Sequence, residues 1–79
     1  MDNRAKAAKR ARELGDPQTA DFIYSLWRSE GGFMGEVAHL KLDFDNLSAK
    51  DIENISEVAD EIIYWNNVEA SGQGNDNWD

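Results

Sequence analysis

The sequence predicts a small all-α domain, and three observations lead there. Apolar residues recur with helical spacing in two stretches, residues 17–30 and 48–67. Each stretch opens on a helix-start signal: Asp16 followed by Pro17, and Ser48 followed by Asp51. Glycines fall between the periodic runs, at Gly15 and at Gly31-Gly32. The expected architecture is a compact bundle of three to four short helices over residues 1–70, followed by a flexible acidic tail, 71–79.

Residues 3–14, NRAKAAKRAREL, are strong helix formers, with Gly15 at the C-cap position. Cations near the start of this helix oppose its macrodipole, so it should fray when unpartnered. The second helix is expected from Pro17 to about Glu30. Phe22, Ile23, Leu26 and Trp27 share one face of it, with Asp21, Ser25 and Arg28 on the other. Gly31-Gly32 would end it. The single-residue hinge at Gly15 makes the first two helices neighbours, in a corner or an αα-hairpin.

Residues 33–47 carry two patterns at once. Phe33, Val37, Leu40, Phe44 and Leu47 repeat as on a helix, whereas Ala38, Leu40, Leu42 and Phe44 alternate as on a strand. A lone strand has an unpaired edge, which is a liability. A helix over 34–44 is the expectation, and a short strand around 37–44, paired with its copy in a dimer, is the alternative. From Ser48, a capping box opens the longest pattern, with Ile52, Ile55, Ala59 and Ile62 as a seam flanked by Val58, Ile63 and Trp65. This helix should reach about Asn67.

A chain of 79 residues allows one modest core, and the absence of cysteine excludes both disulfides and thiolate metal sites. Cores of this size supply about 3–5 kcal/mol, so a homodimer is a reasonable expectation. No apolar run approaches the ~18 residues of a membrane span. The basic start continues into alanine and further charge rather than an apolar signal segment. A cytoplasmic protein without membrane contact is expected.

Nothing in the sequence favours catalysis. The one histidine, His39, has no cysteine to pair with, and Ser25, Ser29, Ser48, Ser56 and Ser71 sit in no nucleophile motif. Gly31-Gly32-Phe33-Met34-Gly35 lacks the lysine and the spacing of a phosphate-binding loop. It reads as a turn with Phe33 and Met34 tucked inward, or alternatively as an exposed docking tip. On a helix, Glu36, His39 and Asp43 would share a face within reach of a metal, but a solvated polar face is the simpler reading. The expectation is no enzyme, no cofactor and no metal.

Charge is the informative feature. The first twelve residues hold five cations (Arg4, Lys6, Lys9, Arg10, Arg12) against Asp2, about +4. The remainder holds fifteen acids against Arg28, Lys41 and Lys50, about −12, which together give −8. Glu53, Glu57, Asp60 and Glu61 share the face of the last helix opposite the seam, and Asp43, Asp45 and Asp51 lead towards it. Helical carboxylates sit ~5–6 Å apart, close to the run of phosphates along a nucleic-acid strand. Tyr64, next on that face, offers a stacking contact.

The expected role is therefore a non-catalytic interaction module that binds the basic surface of a nucleic-acid-binding protein or complex. Its sharper form is an inhibitor acting by phosphate mimicry, of the kind phages and mobile elements direct against host defence or transcription in the host cytoplasm. The plainer reading of the stripe is charge that keeps a small protein soluble. The alternatives are a regulator that binds nucleic acid through Arg4, Lys6, Lys9, Arg10 and Arg12, or a structural subunit of a larger assembly. Against direct nucleic-acid binding stand the acidic body, the lack of an aromatic on the basic helix and the spread of its cations around the axis. The basic helix could equally lie on the acidic surface of its own body. Trp78, near the end of a polar tail, reads as loosely packed, or else as a docking peptide together with Asn75–Asp79.

Overall fold

Capping chemistry divides the chain into four helices, and the computed structural model describes them over residues 2–71. The first, α1 (Asn3–Glu13), starts where the Asp2 carboxylate accepts the Ala5 N–H at 3.0 Å. It stops at Gly15, whose φ of 82° lies in the left-handed region that glycine enters without strain. There the Asp16 N–H donates to the Ala11 carbonyl at 2.8 Å and the Gly15 N–H to Arg12 at 3.1 Å, the double bond of a Schellman cap.

Asp16 then opens α2 (Pro17–Leu26). Its carboxylate accepts the Thr19 N–H at 3.2 Å and the Thr19 hydroxyl at 2.6 Å, so Thr19, the one buried polar side chain among the described residues, is satisfied by the cap itself. Two segments follow, α3 (Glu30–Val37) with a 3₁₀ turn (Ala38–Leu40), and the long α4 (Ala49–Ser71). The capping box at the start of α4 forms as the sequence implies: Asp51 N–H to Ser48 Oγ and Ser48 N–H to Asp51 Oδ2, both 3.0 Å.

The core lies where α1, α2, α3 and the first half of α4 meet. Ala7, Ala8 and Ala11 have no exposed surface, and side chains that small let α1 lie close on α2. Ile23, Phe33 and Ile55 are fully buried among them. The aromatic side of the core runs from Trp27 to Phe33 (centroids 5.0 Å) and on to Phe44 (5.8 Å, edge-on). From α4, Ile52, Ile55 and Ala59 enter the core, whereas Ile62, Val58 and Ile63 are half-buried. No described helix is long and apolar enough to cross a membrane.

The all-α class holds, and no strand occurs among the described residues. Three boundaries differ from the sequence reading. The second helix ends at Leu26, not Glu30, because Trp27 turns extended (φ −112°, ψ 101°) and its carbonyl accepts a bond from Arg4 at 3.1 Å. Gly31-Gly32 is not a break but the first turn of α3. Ser29 caps it through the Gly32 N–H at 3.1 Å, and the burial of Phe33 and Val37 outweighs the helix cost of glycine. Phe33 is accordingly a core residue rather than an exposed tip.

The third difference concerns residues 34–44, which form neither one helix nor a strand. The α-helix stops at Val37, and Lys41 takes a left-handed φ of 53°. The Asp43 carboxylate then accepts the Asp45 N–H at 3.1 Å, and the Asn46 N–H closes a turn on the Asp43 carbonyl at 2.9 Å. This turn delivers Phe44 and Leu47 to the core from a single excursion. At the C-terminus, Ser71 still belongs to α4, and residues 72–79, including Trp78 and the Asn75–Asp79 tip, lie outside the described residues.

A candidate interaction surface on the last helix

Charges in this molecule fall into two groups, those the fold engages and those it leaves on the surface. Arg4, on α1, donates to Asp2 at 2.8 Å and to the Trp27 carbonyl at 3.1 Å, and lies 5.9 Å from the centre of the Tyr24 ring. Lys6 meets Asp45 at 3.0 Å. Arg10 donates Nε to the Leu47 carbonyl at 2.8 Å and meets Glu13 at 3.3 Å. Three of the five α1 cations thus tie the helix to the chain that follows α2 and to the turn before α4. Lys9 and Arg12 are exposed and make no ion pair among the described residues.

The same contacts perturb one carboxyl group. The hydrogen bond from Arg4, and after it the Ala5 N–H, hold Asp2 below its ordinary value of 3.8. They also place the macrodipole's preferred anion at the start of a helix whose own first turn has no acid.

The residues that the sequence groups into an acidic stripe separate in the structure. Glu53, Glu57, Asp60 and Glu61 all lie exposed on the outer face of α4, and Tyr64 follows them, 59% exposed. Lys50 approaches Glu53 at 3.4 Å, a contact between two exposed side chains that neutralises little. Glu57, Asp60 and Glu61 make neither an ion pair nor a side-chain hydrogen bond among the described residues. Asp43 and Asp45 do not extend this stripe. They sit in the turn beside α1, where Asp43 holds the turn and Asp45 is matched by Lys6. Asp51, on the capping box, is likewise engaged.

The sequence reading missed one member of this surface. Helical spacing places Trp65 on the flank of the core seam, yet it is 55% exposed and meets Tyr64 edge-on at 5.2 Å and 77°. Its spacing carried the signal: Trp65 is four residues beyond Glu61, as Tyr64 is four beyond Asp60, so both rings stand one turn from a carboxylate. Beyond Ala59, no α4 residue through Val68 is fully buried.

Elsewhere, a shallow groove of about 440 Å³ runs between α1 and the 44–47 turn, lined by Lys6, Lys9, Arg10, Phe44 and Asp45. Glu36, His39 and Asp43 share no helical face, because the helix ends between the first two, and no group among the described residues has the makings of a metal site. No protein-family description matches this sequence, and neither a curated protein nor a solved structure is significantly similar to it.

Proposed function

We propose that this protein is a non-catalytic interaction module whose acidic α4 face binds the basic surface of a nucleic-acid-binding protein or complex. The carboxylates would occupy ground that a phosphate backbone otherwise takes, which makes the protein an inhibitor by charge mimicry. The observation that carries this reading is the unequal neutralisation of charge. Arg4, Lys6 and Arg10 are engaged in holding α1 to the body, whereas Glu57, Asp60 and Glu61 stand exposed without a cation partner among the described residues. A surface kept anionic on a stiff helix accelerates the encounter with a basic partner and selects against acidic ones. Phages and mobile elements use small acidic proteins in this way against host defence or transcription, and such a role would place this chain in the host cytoplasm.

The test is capture from bacterial lysate with the tagged protein, with and without nuclease, followed by elution on a salt gradient. Retention of a nucleic-acid-binding protein after nuclease, released by salt and abolished by Glu57→Lys, Asp60→Lys and Glu61→Lys together, supports the reading. Retention that vanishes with nuclease and depends on Lys9 and Arg12 sinks it in favour of direct nucleic-acid binding. Point changes at those two cations replace a deletion of residues 1–12, because the deletion would remove Ala7, Ala8 and Ala11 from the core.

A further inference from the structure

The outer end of α4 repeats, without its cation, an arrangement that the body of the molecule completes. Beside α1, the half-exposed Tyr24 ring receives the Arg4 guanidinium 5.9 Å from its centre, and the Asp2 carboxylate holds that same guanidinium at 2.8 Å. Aromatic face, carboxylate and guanidinium form one unit. At the other end, Tyr64 and Trp65 are 59% and 55% exposed and lock each other edge-to-face at 5.2 Å. In an edge-to-face pair, the ring that presents its edge keeps both of its own faces open. Asp60 and Glu61 stand one helical turn away, without an ion pair among the described residues. The aromatic and the anionic parts are present, and the guanidinium is the part that is missing.

We infer that the Tyr64–Trp65 end of α4 is a receptor for an arginine side chain of a bound protein. The guanidinium stacks on an exposed ring while Asp60 or Glu61 accepts its N–H groups. This rests on the acidic-face reading and narrows it, from a basic partner to one that presents arginine. Arginine fits where lysine does not, because its planar, weakly hydrated head can stack and hydrogen-bond at the same time. Lysine brings the same charge but no flat face. The remaining stripe, Glu53 and Glu57, steers the approach of either.

Fluorescein-labelled nona-arginine and nona-lysine peptides, titrated with the full chain and followed by anisotropy, test this directly. The expected result is binding about tenfold tighter for nona-arginine. The double variant Tyr64→Ala, Trp65→Ala should bring nona-arginine down to the nona-lysine level and leave nona-lysine unchanged. Both rings are exposed, so an unchanged melting temperature is expected to accompany that loss. An arginine preference that survives removal of both rings, or no preference at all, overturns the receptor. The acidic-face reading would survive that result if Glu57→Lys, Asp60→Lys and Glu61→Lys still abolished binding of both peptides. Affinities indifferent to this triple reversal would overturn both.

Discussion

The first and last helices are charged opposites, and the fold treats them in opposite ways. The basic α1 has a fully buried alanine face, and three of its five cations reach across to partners in the rest of the chain or along the helix. Through Val68, the acidic α4 buries only Ile52, Ile55 and Ala59, then carries its carboxylates and two aromatic rings outward. A count of charges along the sequence makes both helices look like electrostatic surfaces. Once side-chain partners are assigned, α1 becomes largely structural and α4 remains the surface with unmatched charge. The lesson is that a charged helix advertises binding only to the extent that the fold leaves its charges unanswered.

The harshest way to break the contrast is to put charge on the inner face of α1. Ala8→Glu would force a bulky, unpaired carboxylate into a site with no exposure, costing more than about 3 kcal/mol, comparable to the whole stability expected of so small a core. Circular dichroism should show a chain unfolded or only partly folded at 25 °C, and a cooperative native-like melt would mean that α1 is not docked as described. Next in size is a comparison within α4. Ile55→Ala should cost about 2–5 kcal/mol, whereas Ile62→Ala, half-buried on the same seam, should cost about 1 kcal/mol. Equal losses in denaturant titrations would place the end of the core further along the helix.

Gly15→Ala isolates the joint between α1 and α2. No atom lies within 4 Å of the added Cβ, so the whole penalty is that of a left-handed backbone, about 1–2 kcal/mol. A smaller effect belongs to Asp2. Its carboxyl is held below 3.8, so its contribution is complete above that pH and fades as the pH falls through the lower folded-state value. Melting temperatures of the wild type and Asp2→Asn should therefore differ at neutral pH and converge in acid. Divergence on acidification would contradict the assigned contacts. The smallest effect on stability is expected where the effect on binding is largest: Glu57→Gln, Asp60→Gln and Glu61→Gln together should move stability by no more than about 0.5 kcal/mol per site. A large destabilisation there would show that the outer face of α4 is a structural surface after all.

Much of the fold was legible because local signals agreed with one another. Asp16-Pro17 and the Ser48–Asp51 box are read from neighbouring residues, and both caps form with bonds of 3.0–3.2 Å. The glycine pair reads as a break by propensity alone, but the Ser29 cap and the burial of Phe33 and Val37 hold α3 together. Residues 33–47 are ambiguous in sequence because their apolar spacing suits two periods. The Asp43 turn resolved it by bringing Phe44 against Phe33, a long-range contact that no local pattern contains. On the candidate surface, Glu53, Glu57, Asp60, Glu61 and Tyr64 were legible from spacing, whereas Asp43 and Asp45 were grouped with them by proximity in sequence alone.

By itself the sequence determined the helical class, the caps that start α2 and α4, the glycine that ends α1 and the acidic outer face of the last helix, because caps and periodicity act within a turn or two of chain. Only the tertiary structure decided which charges matter. An ion pair such as Lys6–Asp45, or a bond such as Arg10 to the Leu47 carbonyl, joins residues almost forty positions apart, and its existence depends on how the helices dock. Docking buried the alanine face of the basic helix, gave three of its cations partners and left the carboxylates and rings of α4 facing solvent.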